Sequence, residues 1–443
     1  MQHIVIIGNG IAGITAARII RKLSDDRITV ISGETDYFFS RTALMYIYMG
    51  HMEYRHTKPY EDWFWKKNRI ELKRTWVSSV DFDTKKVLFS EGGDLAYDKL
   101  IMAAGSQSNK FGWPGQNLTG VQGLYSYQDL ELMEENTKNI HRAVIVGGGL
   151  IGVEMAEMLH SRDIPVTYLI REKHFWSGVL PVEEAKLIDR HILEHHVDLR
   201  SEIELKEILD DGNGRVRAVK TKSGDIIECE FVGLTVGVHP NLDLVKDSPI
   251  ESDRGILVNE YLETNHPDVY AIGDCAQMRT HSPNRRAIEA VWYVGRMMGE
   301  TVAKTVTGTK TGYQPGIWFN SAKFFDIEYQ TYGTVLNHLK DNEDHFYWEC
   351  MDKKKCIKII FDKETNVVKG INLFGIRNRQ EVWNKWLEEG KTLDYVIENL
   401  ETANFDPEFF KRYESDIQIQ YNEQFPDKPV DVGEKSLLEK LFA

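Results

Sequence analysis

One pattern occurs twice in this 443-residue chain and restricts its fold more than any other feature. Residues 3–13 read HIVIIGNGIAG, and residues 142–152 read RAVIVGGGLIG. Each copy is a short β-branched strand, a glycine loop and the start of a helical pattern. In the first copy the helix runs from Ile14 to Leu23, and a second strand follows at Ile28 to Ile31. In the second copy the helix is Val153 to Leu159 and the strand is Val166 to Ile170. A strand that feeds a helix returning to a parallel strand is a βαβ unit. Two such units, about 140 residues apart, predict two separate parallel-sheet domains.

The glycines carry a chemical implication. In Gly8-Asn9-Gly10-Ile11-Ala12-Gly13, the first glycine permits a tight turn, the second lets backbone approach a pyrophosphate, and the third lets helix pack on strand. Exposed N–H groups at the helix start, around Ile11 and Ala12, then face the phosphates with the helix dipole behind them. Glu34 lies about 20 residues after Gly13, where an acid can accept from ribose hydroxyls or simply cap the turn. The second loop, Gly147-Gly148-Gly149-Leu150-Ile151-Gly152, has the same context. Its strand is followed by Arg171 and Glu172. A cation there suits a ribose 2′-phosphate and an acid suits a free 2′-OH, so the pair leaves NADH and NADPH both open. Two live loops place two dinucleotides on one chain, and a flavin with a nicotinamide is the common pair. The alternative is a duplication with one dead site.

Bulk properties narrow the class. A formal net charge of -14 opposes nucleic-acid binding and attachment to anionic membranes. No stretch approaches a membrane span, and the N-terminal apolar run is too short for a secretory signal, so a cytoplasmic location is expected. The four cysteines, Cys229, Cys275, Cys350 and Cys356, form no CxxC pair, and no metal site is expected from them. Strands are predicted at Lys86 to Phe89 and Lys99 to Ala103 with a Gly92-Gly93 turn between them, at Val216 to Thr221, Ile226 to Glu230 and Phe231 to Val236, and at Val269 to Ile272. Ala287 to Thr305 has helical spacing. From Gly312 aromatics become dense and strand-like patterns precede a helical C-terminus, which predicts a third, α+β domain. Its tail, Lys435 to Ala443, is a short amphipathic piece expected to pack on its own domain or a partner.

Five segments together resemble the two-dinucleotide flavoprotein reductases of the pyridine nucleotide-disulfide oxidoreductase superfamily: IIGNGIAG, YDKLIMAAGS, VIVGGGLIGVEMAE, LTVGVHPN and VYAIGDCAQ. ISGETDYFFSRTALMYIYMG and WFNSAKFFDIEYQTYG are similar to the branch containing ferredoxin and rubredoxin reductases and the FAD-binding part of assimilatory nitrite reductase. The resemblance implies an α/β fold with two Rossmann-like domains plus a C-terminal α+β domain. The FAD domain would comprise 1–112 and 243–311, the NAD(P)H domain 113–242, and the C-terminal domain 312–443, a dimer or partner interface. It implies that Gly8, Gly10 and Gly13 hold the FAD pyrophosphate, with Arg41 beside the flavin and its phosphates. Ala104 and Gly105 in AAGS, and Gly273 and Asp274 in AIGD, would border FAD, while Gly147, Gly149 to Gly152 and Gly237 would border NAD(P)H. Glu154 is expected near the nicotinamide and flavin rings, and Trp292 near the flavin. The residues alone leave blander readings open: Arg41 as a surface ion pair, Asp274 as a helix N-cap, Glu154 as a solvated helix acid and Trp292 as core.

The chain also departs from the superfamily pattern. Ser40 to Gly50, where the disulfide reductases carry a CxxxxC pair, has no cysteine. Met45 and Tyr46 stand where ferredoxin reductases often carry a lysine. The expected activity is therefore hydride transfer from NAD(P)H to FAD, then electron delivery to an external acceptor, such as a small iron–sulfur protein or a partner reductase. An NADH oxidase or quinone reductase, or a flavin-based redox sensor, is the competing expectation.

Overall fold

The computed structural model describes residues 1–405 and 411–432. The tail Lys435 to Ala443 lies outside the described residues. The chain forms two compact units. One contains Met1–Leu169 and Ile203–Pro315; the other contains Ile170–Glu202 and the described residues from Gly316 on.

In the first unit the parallel strands are β1 (His3–Ile7), β2 (Arg27–Ser32), β3 (Ile70–Arg74), β4 (Lys99–Met102), β5 (Val121–Gln122), β6 (Ala143–Val146), β7 (Val166–Leu169), β8 (Phe231–Leu234) and β9 (Val269–Ala271). One sheet has the order β9-β4-β1-β2-β3, and in another β7, β6, β8 and β5 lie side by side. β1 and β6 are β-branched and buried on both faces, as parallel strands covered by helices must be. Each sits between two parallel neighbours, β1 between β2 and β4, β6 between β7 and β8. The chain leaves the C-terminal ends of these central strands at the points where strand order reverses, the usual ligand crevice of such sheets. Helix α1 (Ile11–Leu23) follows β1, and α2 (Leu150–His160) follows β6. α1 buries Ala12, Ala16, Ala17 and Ile20 and carries Arg21 and Lys22 in its last turn, favourable to the helix dipole.

Two local expectations change. The Gly92-Gly93 turn joins Lys86–Phe89 to Asp94–Ala96 within a three-stranded antiparallel sheet, whereas Lys99–Met102 enters the parallel sheet as β4. The helix expected from Ala287 begins at Trp292. Residues before it are held otherwise: Ala287 O accepts from Met278 N, and Arg285 pairs with Glu289 at 2.5 Å.

The second unit is an antiparallel sheet of β10 (Phe319–Phe324), β11 (Ile327–Gly333), β12 (Glu343–Glu349), β13 (Cys356–Asp362) and β14 (Val368–Phe374), ordered β10-β11-β14-β13-β12. Side chains alternate between its faces. Ile357, Ile359, Ile371 and Leu373 join Trp383, Trp386, Val396 and Tyr421 from the helices Gln380–Glu388, Leu393–Glu398 and Glu414–Gln424 in one core. The intervening Lys358 and Asn372 reach α3 (Val182–Glu194) instead, at Glu183 and Glu184, each at 2.9 Å. Residues 170–202 group with the C-terminal sheet, whereas the sequence places that segment inside 113–242. No helix among the described residues is long and apolar enough to cross a membrane.

Candidate functional site

β1 delivers the chain into a loop whose glycines have different jobs. Gly8 has φ +112°, and a Cβ there would lie 2.1 Å from Ala103 O, just past the end of the neighbouring β4. A Cβ on Gly13 would lie 2.1 Å from Gly8 O, so this glycine is needed for α1 to close on the loop. Gly10 is different, because a Cβ there would meet nothing within 4 Å. Open space therefore lies over the N-cap of α1. No side chain caps that helix and no acid occupies its first turn, where Ile11 and Ala12 stand. Buried Asn9 braces the loop by donating to Thr35 O at 3.0 Å. The second loop repeats the arrangement. Gly147 N bonds Leu169 O as Gly8 N bonds Ile31 O. Gly149, the N-cap of α2, again faces open space; Leu150 and Ile151 form an uncapped, acid-free first turn, and a Cβ on Gly152 would strike Tyr168 Oη at 2.0 Å. Uncapped helix starts with positive dipole ends and room above them fit the phosphates of two dinucleotides.

Around the first loop, residues distant in sequence converge. Arg41 donates to both oxygens of Glu34, at 2.8 and 2.6 Å, and to Tyr125 O at 2.5 Å. Tyr127 N donates to the same carboxylate at 2.9 Å. Three of the roughly four lone-pair directions of Glu34 thus serve the protein itself. The Arg41 guanidinium also lies 4.6 Å from the centre of the Tyr125 ring. Asp274 sits in the short turn Gly273–Cys275 after β9. Its Oδ2 accepts from Ser106 Oγ and Tyr125 Oη, both at 3.2 Å. Burial holds this carboxyl above the ordinary range, against the pull of those hydrogen bonds and of Arg41. Gly105 lies in the same cluster: a Cβ there would meet Tyr125 Oη at 2.8 Å. Half-buried Ala104 precedes it. Gly273 backs onto Ala12, and half-buried Trp292 opens the helix whose Gly295 and Gly299 pack on the first turns of α1. Tyr125 and Ser106 were not anticipated. Tyr125 lies outside the motif segments and Ser106, which closes AAGS, carries no role in the sequence reading; only folding brings both to Asp274.

Glu154 lies just beyond the first turn of α2, half-buried. Burial, with Glu157 nearby, pushes its carboxyl up to about 7, so it changes charge near neutrality. Gly237 has φ +89° and lies in the stretch after β8, where its carbonyl accepts from Asn109 N. Arg171 and Glu172 follow β7, with Ile170 between, and Arg171 Nε donates to Glu172 Oε1 at 2.7 Å.

Three of the four cysteines are held as thiols. Cys229, Cys275 and Cys356 are buried, and burial pushes the first two up to about 12 and about 11 and the third well above its ordinary value. Cys275 Sγ faces the carbonyls of Met102 and Ile272. Thiolates, the nucleophilic form, are suppressed at all three.

Two parallel-sheet folds on one chain, each ending in a glycine loop with an open helix start, and a half-buried carboxylate beside the first, define an oxidoreductase that handles two dinucleotides. The chain belongs to the pyridine nucleotide-disulphide oxidoreductase family, whose sequence profile matches residues 2–299, and its cofactors are FAD and NAD(P)H. It is 28% identical over 379 residues to the nitrite reductase [NAD(P)H] of Bacillus subtilis, covering 84% of this chain but 44% of that one. It is 28% identical over 406 residues to the NADH-rubredoxin oxidoreductase of Clostridium acetobutylicum, covering 90% of this chain and 99% of that one. The chain thus spans less than half of one relative and nearly all of the other. The solved structure of an NAD-dependent persulfide reductase from A. fulgidus superposes with a TM-score of 0.83 at 24% identity, covering 96% of this chain and 84% of that one, which shows the shared fold.

Proposed function

We propose that this protein is an NAD(P)H-dependent reductase of a small one-electron carrier protein of the rubredoxin or iron–sulfur type, working in the cytoplasm. The observation that carries this reading is the lack of an internal acceptor: no cysteine stands between Ser40 and Gly50, and three of the four thiols are buried and protonated. Similarity along 99% of the rubredoxin reductase supports the same reading. Bound FAD supplies the chemistry that joins a two-electron hydride donor to a one-electron acceptor.

In this reading residues 1–112 and 243–311 hold FAD. Gly8, Gly10 and Gly13, with the N–H groups of Ile11 and Ala12, take its pyrophosphate. Arg41, Ala104, Gly105, Gly273, Asp274 and Trp292 border it. Glu34 acts chiefly by orienting Arg41. Residues 113–242 take NAD(P)H, with Gly147, Gly149, Leu150, Ile151 and Gly152 at the pyrophosphate, and Gly237 closing the loop. Glu154 holds or releases a proton at its carboxylate near neutral pH, which sets the local charge. The C-terminal region, 312–443, serves as the surface for the carrier or a second copy.

The test is anaerobic turnover with NADH and NADPH against rubredoxin, a ferredoxin, a benzoquinone and, separately, oxygen. The expected result is fastest turnover with a carrier protein, unchanged after alkylation of accessible thiols. Fastest turnover with oxygen or quinone would favour the oxidase or quinone-reductase reading. Very slow flavin reduction with a long-lived reduced state would favour a redox sensor.

A further inference from the structure

His191 lies in the last turn of α3 and His195 is its C-cap, four residues on, so the two rings lie side by side, 4.5 Å between centres. The hairpin turn between β10 and β11 carries Asp326. These three side chains form the single cluster among the described residues whose donor atoms lie within 4.8 Å of one another and could share a metal ion. Asp326 Oδ1 is 2.5 Å from His191 Nε2 and 3.5 Å from His195 Nε2.

Three independent features point to a ligand here rather than to a plain ion pair. First, His191 is 2% exposed, yet neither ring nitrogen makes a well-formed hydrogen bond, despite the closeness of Asp326. A buried imidazole without a hydrogen bond calls for an unseen ion or water. Second, His195 Nδ1 lies 2.9 Å from the carbonyl of His191. That nitrogen must therefore carry the proton, which leaves the Nε2 lone pair toward Asp326. Metal-binding histidines characteristically donate their other ring N–H to such a carbonyl. Third, Phe325 occupies the first position of the two-residue turn with φ +54°, a conformation normally left to glycine or asparagine. Its ring stacks on His195 at 4.3 Å and 20°. The bulky residue is held in an unfavourable conformation against the histidine, and the next residue is the aspartate.

We propose that His191, His195 and Asp326 bind one divalent transition-metal ion of the zinc class. Two imidazole nitrogens and one carboxylate oxygen are the donor set for such ions, with a fourth position left for water. Bonds of about 2.0–2.1 Å at tetrahedral angles place donor atoms roughly 3.3 Å apart. The His195–Asp326 separation already matches. The His191–Asp326 separation needs a shift of under about 1 Å, within reach of a carboxylate that is 66% exposed. The ion would fasten α3 to the β10–β11 hairpin.

The test is calorimetric titration of the holoprotein, stripped with a chelator and with its thiols alkylated, using Zn²⁺ and then Co²⁺. His195→Ala and Asp326→Asn serve as variants, because both positions are exposed enough to change without opening the core; flavin content and the thermal midpoint check their folding. The expected result is one ion per chain in the parent. Both variants should bind at least about 100-fold more weakly, since loss of an outer partner alone costs 10–100-fold. Zinc should raise the melting temperature of the parent only. No binding to the parent, or equal binding by the parent and both variants, would overturn the proposal whatever the variants' stability.

Discussion

Arg41 and Glu34, seven residues apart, form a two-pronged ion pair that also gathers the main chain at Tyr125 and Tyr127. The side chains are 29% and 14% exposed, so the pair is more sheltered than an ordinary surface contact. A double-mutant cycle with Arg41→Ala and Glu34→Ala, measured by urea unfolding at fixed saturating FAD, should give a coupling of about 1–3 kcal/mol. Exposed pairs give about 0–1 kcal/mol. A coupling in that lower range would reduce Arg41 to the surface ion pair that the sequence left open.

Gly10 and Gly149 separate binding from folding. A Cβ at either position meets nothing within 4 Å, whereas one at Gly8 strikes backbone at 2.1 Å. Gly10→Ala should unfold within a few degrees of the parent yet retain FAD poorly. Gly149→Ala should keep its flavin and raise KM for NAD(P)H. Gly8→Ala should fail to fold well. Flavin content, melting temperature and steady-state kinetics of the three variants distinguish these effects, and full cofactor affinity in Gly10→Ala would mean that the pyrophosphate lies elsewhere.

Glu154 predicts a pH dependence near neutrality. Burial and Glu157 raise its carboxyl to about 7, so it is neutral below that pH and anionic above it. A negative charge close to an anionic coenzyme opposes binding. KM for NAD(P)H should therefore rise as pH increases through about 7, and Glu154→Gln, fixed in the neutral form, should lose that inflection. Stability runs the same way. The folded protein holds this proton between the ordinary carboxyl range and about pH 7 while the unfolded chain releases it, so stability falls as pH rises across that window. An unaltered profile in the glutamine variant would return Glu154 to a solvated helix acid.

Arg171 and Glu172 bear on coenzyme choice. They are hydrogen-bonded to each other, and Arg171 is 78% exposed. A charged hydrogen bond acting alone contributes roughly 1.5–3 kcal/mol, or about 10- to 150-fold in preference. With both charges present the parent should discriminate less, with a slight preference for NADH. Arg171→Ala should lose NADPH activity selectively, and Glu172→Ala should gain it relative to NADH. The check is kcat/KM for both coenzymes in all three proteins; unchanged ratios would place specificity elsewhere.

Much of the functional reading rests on local rules. The β-branched runs at 4–7 and 143–146 form the central buried strands, and the glycines after them meet steric demands set within a dozen residues or by an adjacent strand. Local rules failed where competition was tertiary. Ala287 to Val291 has helical spacing but forms an irregular stretch, partly because Ala287 O accepts from Met278 N. Lys99–Met102 pairs with β1 rather than with the nearby hairpin.

By itself, then, the sequence determined the two βαβ units, their phosphate-binding loops and the missing redox cysteine pair, because strand periodicity, helix starts and glycine sterics act over short stretches of chain. Only the tertiary structure decided that Glu34 is occupied by Arg41, that Tyr125 and Ser106 share Asp274, that Glu154 titrates near 7, and that His191 and His195 face Asp326. Each of these depends on groups 7 to 168 residues apart in the chain, or on burial. Their energies come from proximity and exclusion of water, which no local pattern encodes.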